Sequence, residues 1–143
     1  MNILNNIRVL FMAVLLSSLL VSGCATNRVD LVANEKVIVE KVTTSSEYFS
    51  KTSVYSTDSG MTVSGELHKR WSSRGHIFGH VEIEVISPDE TVLCIIDTSY
   101  HPRSLKSSSA IFSADIPLMV EDGTIVRIIH HQDAKSEEKK KCT

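Results

Sequence analysis

Glycine and proline are scarce in this 143-residue chain, at six and three residues. That scarcity excludes a collagen-like repeat and argues against a disordered, low-complexity chain. Local frames for catalysis are missing too. There is no GxSxG elbow, no HExxH, no glycine-rich phosphate loop and no CxxC pair, and with them go the usual signatures of hydrolase, zincin, nucleotide and thiol-redox chemistry. No cofactor motif remains. The formal net charge is −2, and no basic stripe interleaved with aromatics occurs, so nothing draws the chain toward nucleic acid. Past residue 37 no helical periodicity of ten or more residues appears.

A hydrophobic run is present at the start. Residues 1–8 end in Arg8, and VLFMAVLLSSLLV, residues 9–21, is an apolar run of 13 residues. A membrane-spanning helix takes about 20, whereas a positive start, an apolar middle and small residues at the end are the pattern of a secretory signal. The residues Val21-Ser22-Gly23-Cys24 resemble the lipobox of bacterial lipoproteins. The resemblance implies cleavage before Cys24, a diacylglyceryl group on its thiol and acylation, commonly by palmitate, of the new amino group. A thiol is the side chain nucleophilic enough for that alkylation, and several acyl chains anchor where one does not. Ala25 rather than Asp after the cysteine implies the outer membrane of a Gram-negative cell, with the protein facing the periplasm. The expected organisation is a signal peptide over 1–23, a lipidated N-terminus and tether over 24–36, a β domain over 37–132 and a charged flexible tail over 133–143.

The β domain shows itself by alternation. Residues 37–42 read as a first strand, and the Ser/Thr-rich stretch 43–53 as a short strand or a structured loop. STDSG, 56–60, is a turn. In MTVSGELHKR, 61–70, Met61, Val63, Gly65 and Leu67 oppose Thr62, Ser64, Glu66 and His68, which is a half-buried strand. HIFGHVEIEVI, 76–86, alternates in the same way, and SPDET, 87–91, joins it to TVLCIIDTSY. That last strand is the more apolar and is expected near the centre of its sheet. SAIFSADIPL and TIVRIIHH complete the set. One apolar sheet face needs a second to cover it, so the expected fold is a small antiparallel β-sandwich of about seven strands, with a partly open barrel as the alternative.

Candidate chemistry is sparse. Histidines on different strands, His68, His80 and His130, offer a copper or zinc site if the sheets bring them together. His76 and His80 cannot share an ion, because four strand residues separate them by about 13 Å. Asp97, Ser99 and His101 have the types of a catalytic triad but lie about 7 Å apart along a strand. Glu82 and Glu84 read as a solvated face. Cys94 reads as a small core hydrophobe and Cys142 as part of the tail. A bridge between them would close a long loop, but an inward-facing Cys94 is expected to be out of the tail's reach. Trp71, Arg74, Tyr100 and Arg103 come from loops at strand ends and have the residue types of protein-contact hot spots; the alternative for Trp71 is to plug the open end of the core.

The stretches GHVEIEVISPDETVLCIIDTSYHPRS, AIFSADIP and VRIIHH are similar to small Gram-negative envelope lipoproteins of uncharacterised function. This resemblance implies an immunoglobulin-like sandwich without the Cys…Trp…Cys spacing of antibody domains, and it carries over no site residue. The expectation is a non-catalytic structural or interaction module. It would be held to the lipid bilayer through acylated Cys24 and would contact another envelope protein.

Overall fold

Alternation of apolar and polar side chains from residue 47 to 131 produces two sheets packed face to face. The computed structural model describes residues 28–71, 75–102, 108–133 and 140–142. Their strands are β1 (Val37–Val42), β2 (Glu47–Thr57), β3 (Gly60–Lys69), β4 (His80–Ile86), β5 (Val92–Thr98), β6 (Tyr100–Pro102), β7 (Ser109–Ile116), β8 (Thr124–His131) and β9 (Lys140–Cys142). One sheet has the order β1-β8-β4-β5-β9 and the other β2-β3-β7-β6. The expected count of seven strands is therefore corrected to nine among the described residues. The antiparallel expectation is corrected as well, because β1 runs parallel to β8. The sheets do not close into a barrel.

The inward rows supply the core. Val81, Ile83 and Val85 of β4 and Val126 and Ile128 of β8 are buried against Val63, Leu67 and Phe112 of the facing sheet. Gly65 lies opposite Phe112, and a Cβ there would come within 2.5 Å of the Phe112 ring. The ring thus fills the space that the missing side chain leaves, and its edge meets Phe49 at 5.6 Å between centroids. In β2 the register slips between Phe49 and Lys51. This bulge moves the inward row from Glu47 and Phe49 to Val54.

Three sequence expectations change here. Residues 28–36 are docked rather than tethering: Leu31 is buried, its N–H donates to Val54 O at 2.8 Å, and Ser56 N–H donates to Val29 O at 2.9 Å. Asp30 caps the turn that follows, its Oδ1 accepting from the N–H groups of Val32 and Ala33. Val29, Leu31, Val32 and Ala33 make no sustained period that would betray which of them is buried. Second, β4 rather than β5 holds the centre of its sheet, and β5 lies one place out with only the three-residue β9 beyond it. In the β4–β5 hairpin, Glu90 donates its N–H to Ser87 O and itself takes φ +67°, the left-handed position that glycine usually fills in such loops.

Third, Cys94 and Cys142 are bridged. The expectation of an unreachable Cys94 fails because β9 pairs with β5 at the sheet's edge. Cys94 lies directly opposite Cys142 in that ladder, and cross-strand partners share a face. The part of the tail formed by β9 is therefore held to the core. The bridge spans 48 residues, which on the loop-entropy account adds about 4 kcal/mol. Urea unfolding of Cys142→Ser against the parent chain is expected to show a loss of about that size. A loss under about 1 kcal/mol would mean that β9 docks without help from the bridge.

Candidate functional site

The strand period places the most unusual group of side chains. On β8 the inward row runs Thr124, Val126, Ile128, His130, so the row that builds the core also carries an imidazole into it. His130 is 3% exposed. Facing it from the other sheet is Glu47, also 3% exposed, at the start of β2 before the bulge. Nδ1 of His130 lies 3.8 Å from Glu47 Oε2. Tyr100 of β6 completes the group, its ring centroid 6.1 Å from that of His130 and its hydroxyl buried without a hydrogen-bond partner among the described residues.

Glu47 is held by hydroxyls and an amide. Thr44 and Ser46 donate to Oε2, and Gln132 Nε2 donates to the same oxygen at 3.0 Å. Gln132 also reaches Ser46 Oγ at 2.7 Å, which ties the β1–β2 connection to the end of β8. Burial pushes the Glu47 carboxyl up. Ser46, Thr44, Gln132 and the neighbouring His130 outweigh it, so the carboxyl sits below its ordinary value. His130 is displaced downward as well: burial dominates over the attraction of Glu47. The Phe78 carbonyl lies 3.2 Å from His130 Nε2, which assigns the proton of the neutral ring to Nε2 and leaves Nδ1 as an unpartnered acceptor. Burial, and then Glu47, raise the Tyr100 phenol to about 12. Gly79 makes the approach of Phe78 possible. Its φ is +114°, and a Cβ there would fall 1.7 Å from the His131 carbonyl oxygen.

A second polar group lies across β4 from the first, on the outer face of the five-stranded sheet. His80 stacks on His131 at 5.0 Å, His131 Nε2 is 3.4 Å from Glu82 Oε1, and His80 Nε2 is 3.9 Å from Asp97 Oδ1. His80 and Asp97 are buried, so the solvated-face reading of this strand holds only in part. The third expected ligand, His68, stacks on Tyr48 on the outer side of the other sheet. The expected metal residues His68, His80 and His130 therefore occupy three different faces. Among the described residues no group of three or more His, Cys, Asp or Glu side chains is placed to hold a metal ion.

Of the expected contact residues, Trp71 is fully exposed and plugs nothing, while Tyr100 turns toward His130. Arg74, Arg103 and the expected lipidation residue Cys24 lie outside the described residues. Glu47 and Gln132 went unnoticed in the sequence, and Asp97 was weighed only as part of a triad with Ser99 and His101. Glu47 was hidden by the bulge, and Gln132 looks like an ordinary strand-end polar residue. Comparison with family models, with curated proteins and with solved structures finds no match for the chain.

What this arrangement does chemically is to keep a carboxylate ionised and an imidazole neutral inside one end of the sandwich. Both folded-state pKa values lie below their ordinary values, so the unfolded chain binds protons more readily at both groups. Their stabilisation is complete above about pH 6.5. It falls first as acid charges His130, and again below about pH 4.5 as Glu47 takes a proton. Urea unfolding from pH 7.5 to 4 is expected to show a declining free energy, with His130→Gln flattening the part that begins near pH 6.5. An unchanged slope in His130→Gln would remove the histidine from this account.

Proposed function

We propose that this chain is a lipid-anchored module of the bacterial envelope. Acylated Cys24 holds it to the periplasmic face of the outer membrane, and it acts by contact with another envelope protein rather than by catalysis. The observation that carries this reading is the Cys94–Cys142 disulfide. Persistent structural disulfides belong to oxidising compartments, and residues 9–24 carry the features of a segment that exports a chain to one and retains it on lipid. The docking of Val29 and Leu31 adds a geometric consequence. Three residues separate Cys24 from Arg28, a reach of roughly 14 Å at full extension over the four peptide steps, so the body rides close to the bilayer.

The contact role rests on Trp71, which lies fully in solvent just beyond the end of β3. An indole in that position has no packing role and is the residue type most enriched at binding hot spots. The finer description of the fold as immunoglobulin-like draws on two layers with four crossings between them, at β1–β2, β3–β4, β5–β6 and β7–β8. The disulfide here pins a sheet edge instead of bridging the layers.

Mass spectrometry of the chain from bacterial envelopes is expected to find residues 1–23 removed and Cys24 carrying acyl groups. Affinity capture with the same material should retain an envelope protein that Trp71→Ala fails to hold. An intact Met1, or an unmodified Cys24 sulfur, would overturn the anchoring. Equal capture by Trp71→Ala would overturn the role of the indole.

A further inference from the structure

The free edge of β1 has features that go beyond the envelope reading and do not depend on it. Strand β1 is the outermost strand of its sheet and, among the described residues, pairs only with β8. Lys36 O accepts from Gly123 N on the β8 side, whereas Val37 N–H points the other way and donates to Leu31 O. Backbone direction alternates along a strand. The even residues 38, 40 and 42 therefore bond toward β8, and the odd residues Val39 and Lys41 direct their N–H and C=O groups to the free edge. Beyond Val37 that edge carries no proline and no bulge, two of the devices by which proteins blunt exposed strands. Two apolar side chains on the outer face stand in solvent beside it: Ile38 at 54% and Val42 at 46% exposure.

We propose that β1 is a self-pairing edge, to which a second copy of this chain adds its own β1 antiparallel about a two-fold axis through Glu40. The register follows from two constraints. Free backbone groups lie on odd residues, so an odd residue must meet an odd residue. Of the registers that satisfy this, the one centred on Glu40 pairs Val39 with Lys41 of the second copy through hydrogen bonds. The same register sets Ile38 opposite Val42, and Val42 opposite Ile38, in the closer non-hydrogen-bonded positions. Both exposed apolar residues are covered at once, which centring on Val39 or Lys41 does not achieve. The axis also brings Glu40 against its own copy. Arg127 already bonds Glu40 at 2.9 Å and Glu84 at 3.0 Å, so each carboxylate arrives with a guanidinium beside it and the like charges are offset. The contact is isologous, so it closes at two copies.

Engineered cysteines in the full chain read the register directly. Residues on the axis in a non-hydrogen-bonded pair have Cα atoms about 4.5 Å apart, within disulfide range. Under mild oxidation Glu40→Cys is expected to give covalent dimer about ten-fold faster than Ser113→Cys on the opposite sheet. Ile38→Cys and Val42→Cys should each stay near the Ser113→Cys rate, and the two combined in one chain should cross-link. Lys41→Pro removes an N–H that β8 does not use, so it should abolish cross-linking by Glu40→Cys while leaving the thermal midpoint of the monomer in place. The proposal is overturned if Glu40→Cys cross-links no faster than Ser113→Cys. It is equally overturned if Ile38→Cys alone matches Glu40→Cys, or if Lys41→Pro leaves cross-linking unchanged in a folded chain.

Discussion

Strand β8 is paired on both sides, by β1 and β4, and its pleat admits one choice of inward face. Once Val126 and Ile128 are committed to the core, His130 must follow them in. An imidazole inside a sandwich needs neighbours that tolerate it. The start of β2 supplies Glu47, and the Thr44–Ser46 connection and Gln132 supply the donors that let the carboxylate remain charged there. A strand period thus dictates a polar, partly unsatisfied end to an otherwise apolar interior. The orphaned Tyr100 hydroxyl and His130 Nδ1 are costs of that arrangement, offset by the pairing that β8 gains along its whole length.

Legibility in the sequence followed the alternation. β3, β7 and β8 were readable because nothing interrupts their period of two, whereas the strand read from His76 begins only at His80, as β4. β2 was not, since its bulge after Phe49 switches inward parity in mid-strand, and the Ser/Thr composition then looks like a loop. The apolar character of β5 suggested a central position. Its actual cover on one side is a three-residue strand and a disulfide, which a local pattern of hydrophobicity cannot distinguish from a full neighbour. Leu31 carries no periodicity at all. The polar end was invisible for a related reason: Glu47, His130 and Gln132 are far apart in the chain, and only the pairing of the sheets puts them together.

The two edges of the five-stranded sheet are treated differently. At β5 the edge is closed covalently by β9, with Cys142 opposite Cys94. At β1 the first residue is occupied by Leu31 O and the rest is open, in a sheet whose other layer has its own outer strand, β2, bulged and partly covered by Val29–Leu31. Of the four outer strands among the described residues, β6 and β9 are three residues long and β2 is bulged and partly covered, which leaves β1 as the long open one. This sets the open edge apart from the buried polar end, so association through β1 and the chemistry around His130 are separable properties of one fold.

The claim on which the account turns is that the core itself holds His130 neutral beside an ionised Glu47. Proton-coupled nitrogen and carbon NMR titration of those two side chains in the folded chain tests it without reference to stability. The account predicts a His130 midpoint below 6.5, with the neutral-ring proton on Nε2, and a Glu47 carboxyl midpoint below 4.5. A His130 ring that titrates at or above 6.5, or that carries its neutral-state proton on Nδ1, would contradict it.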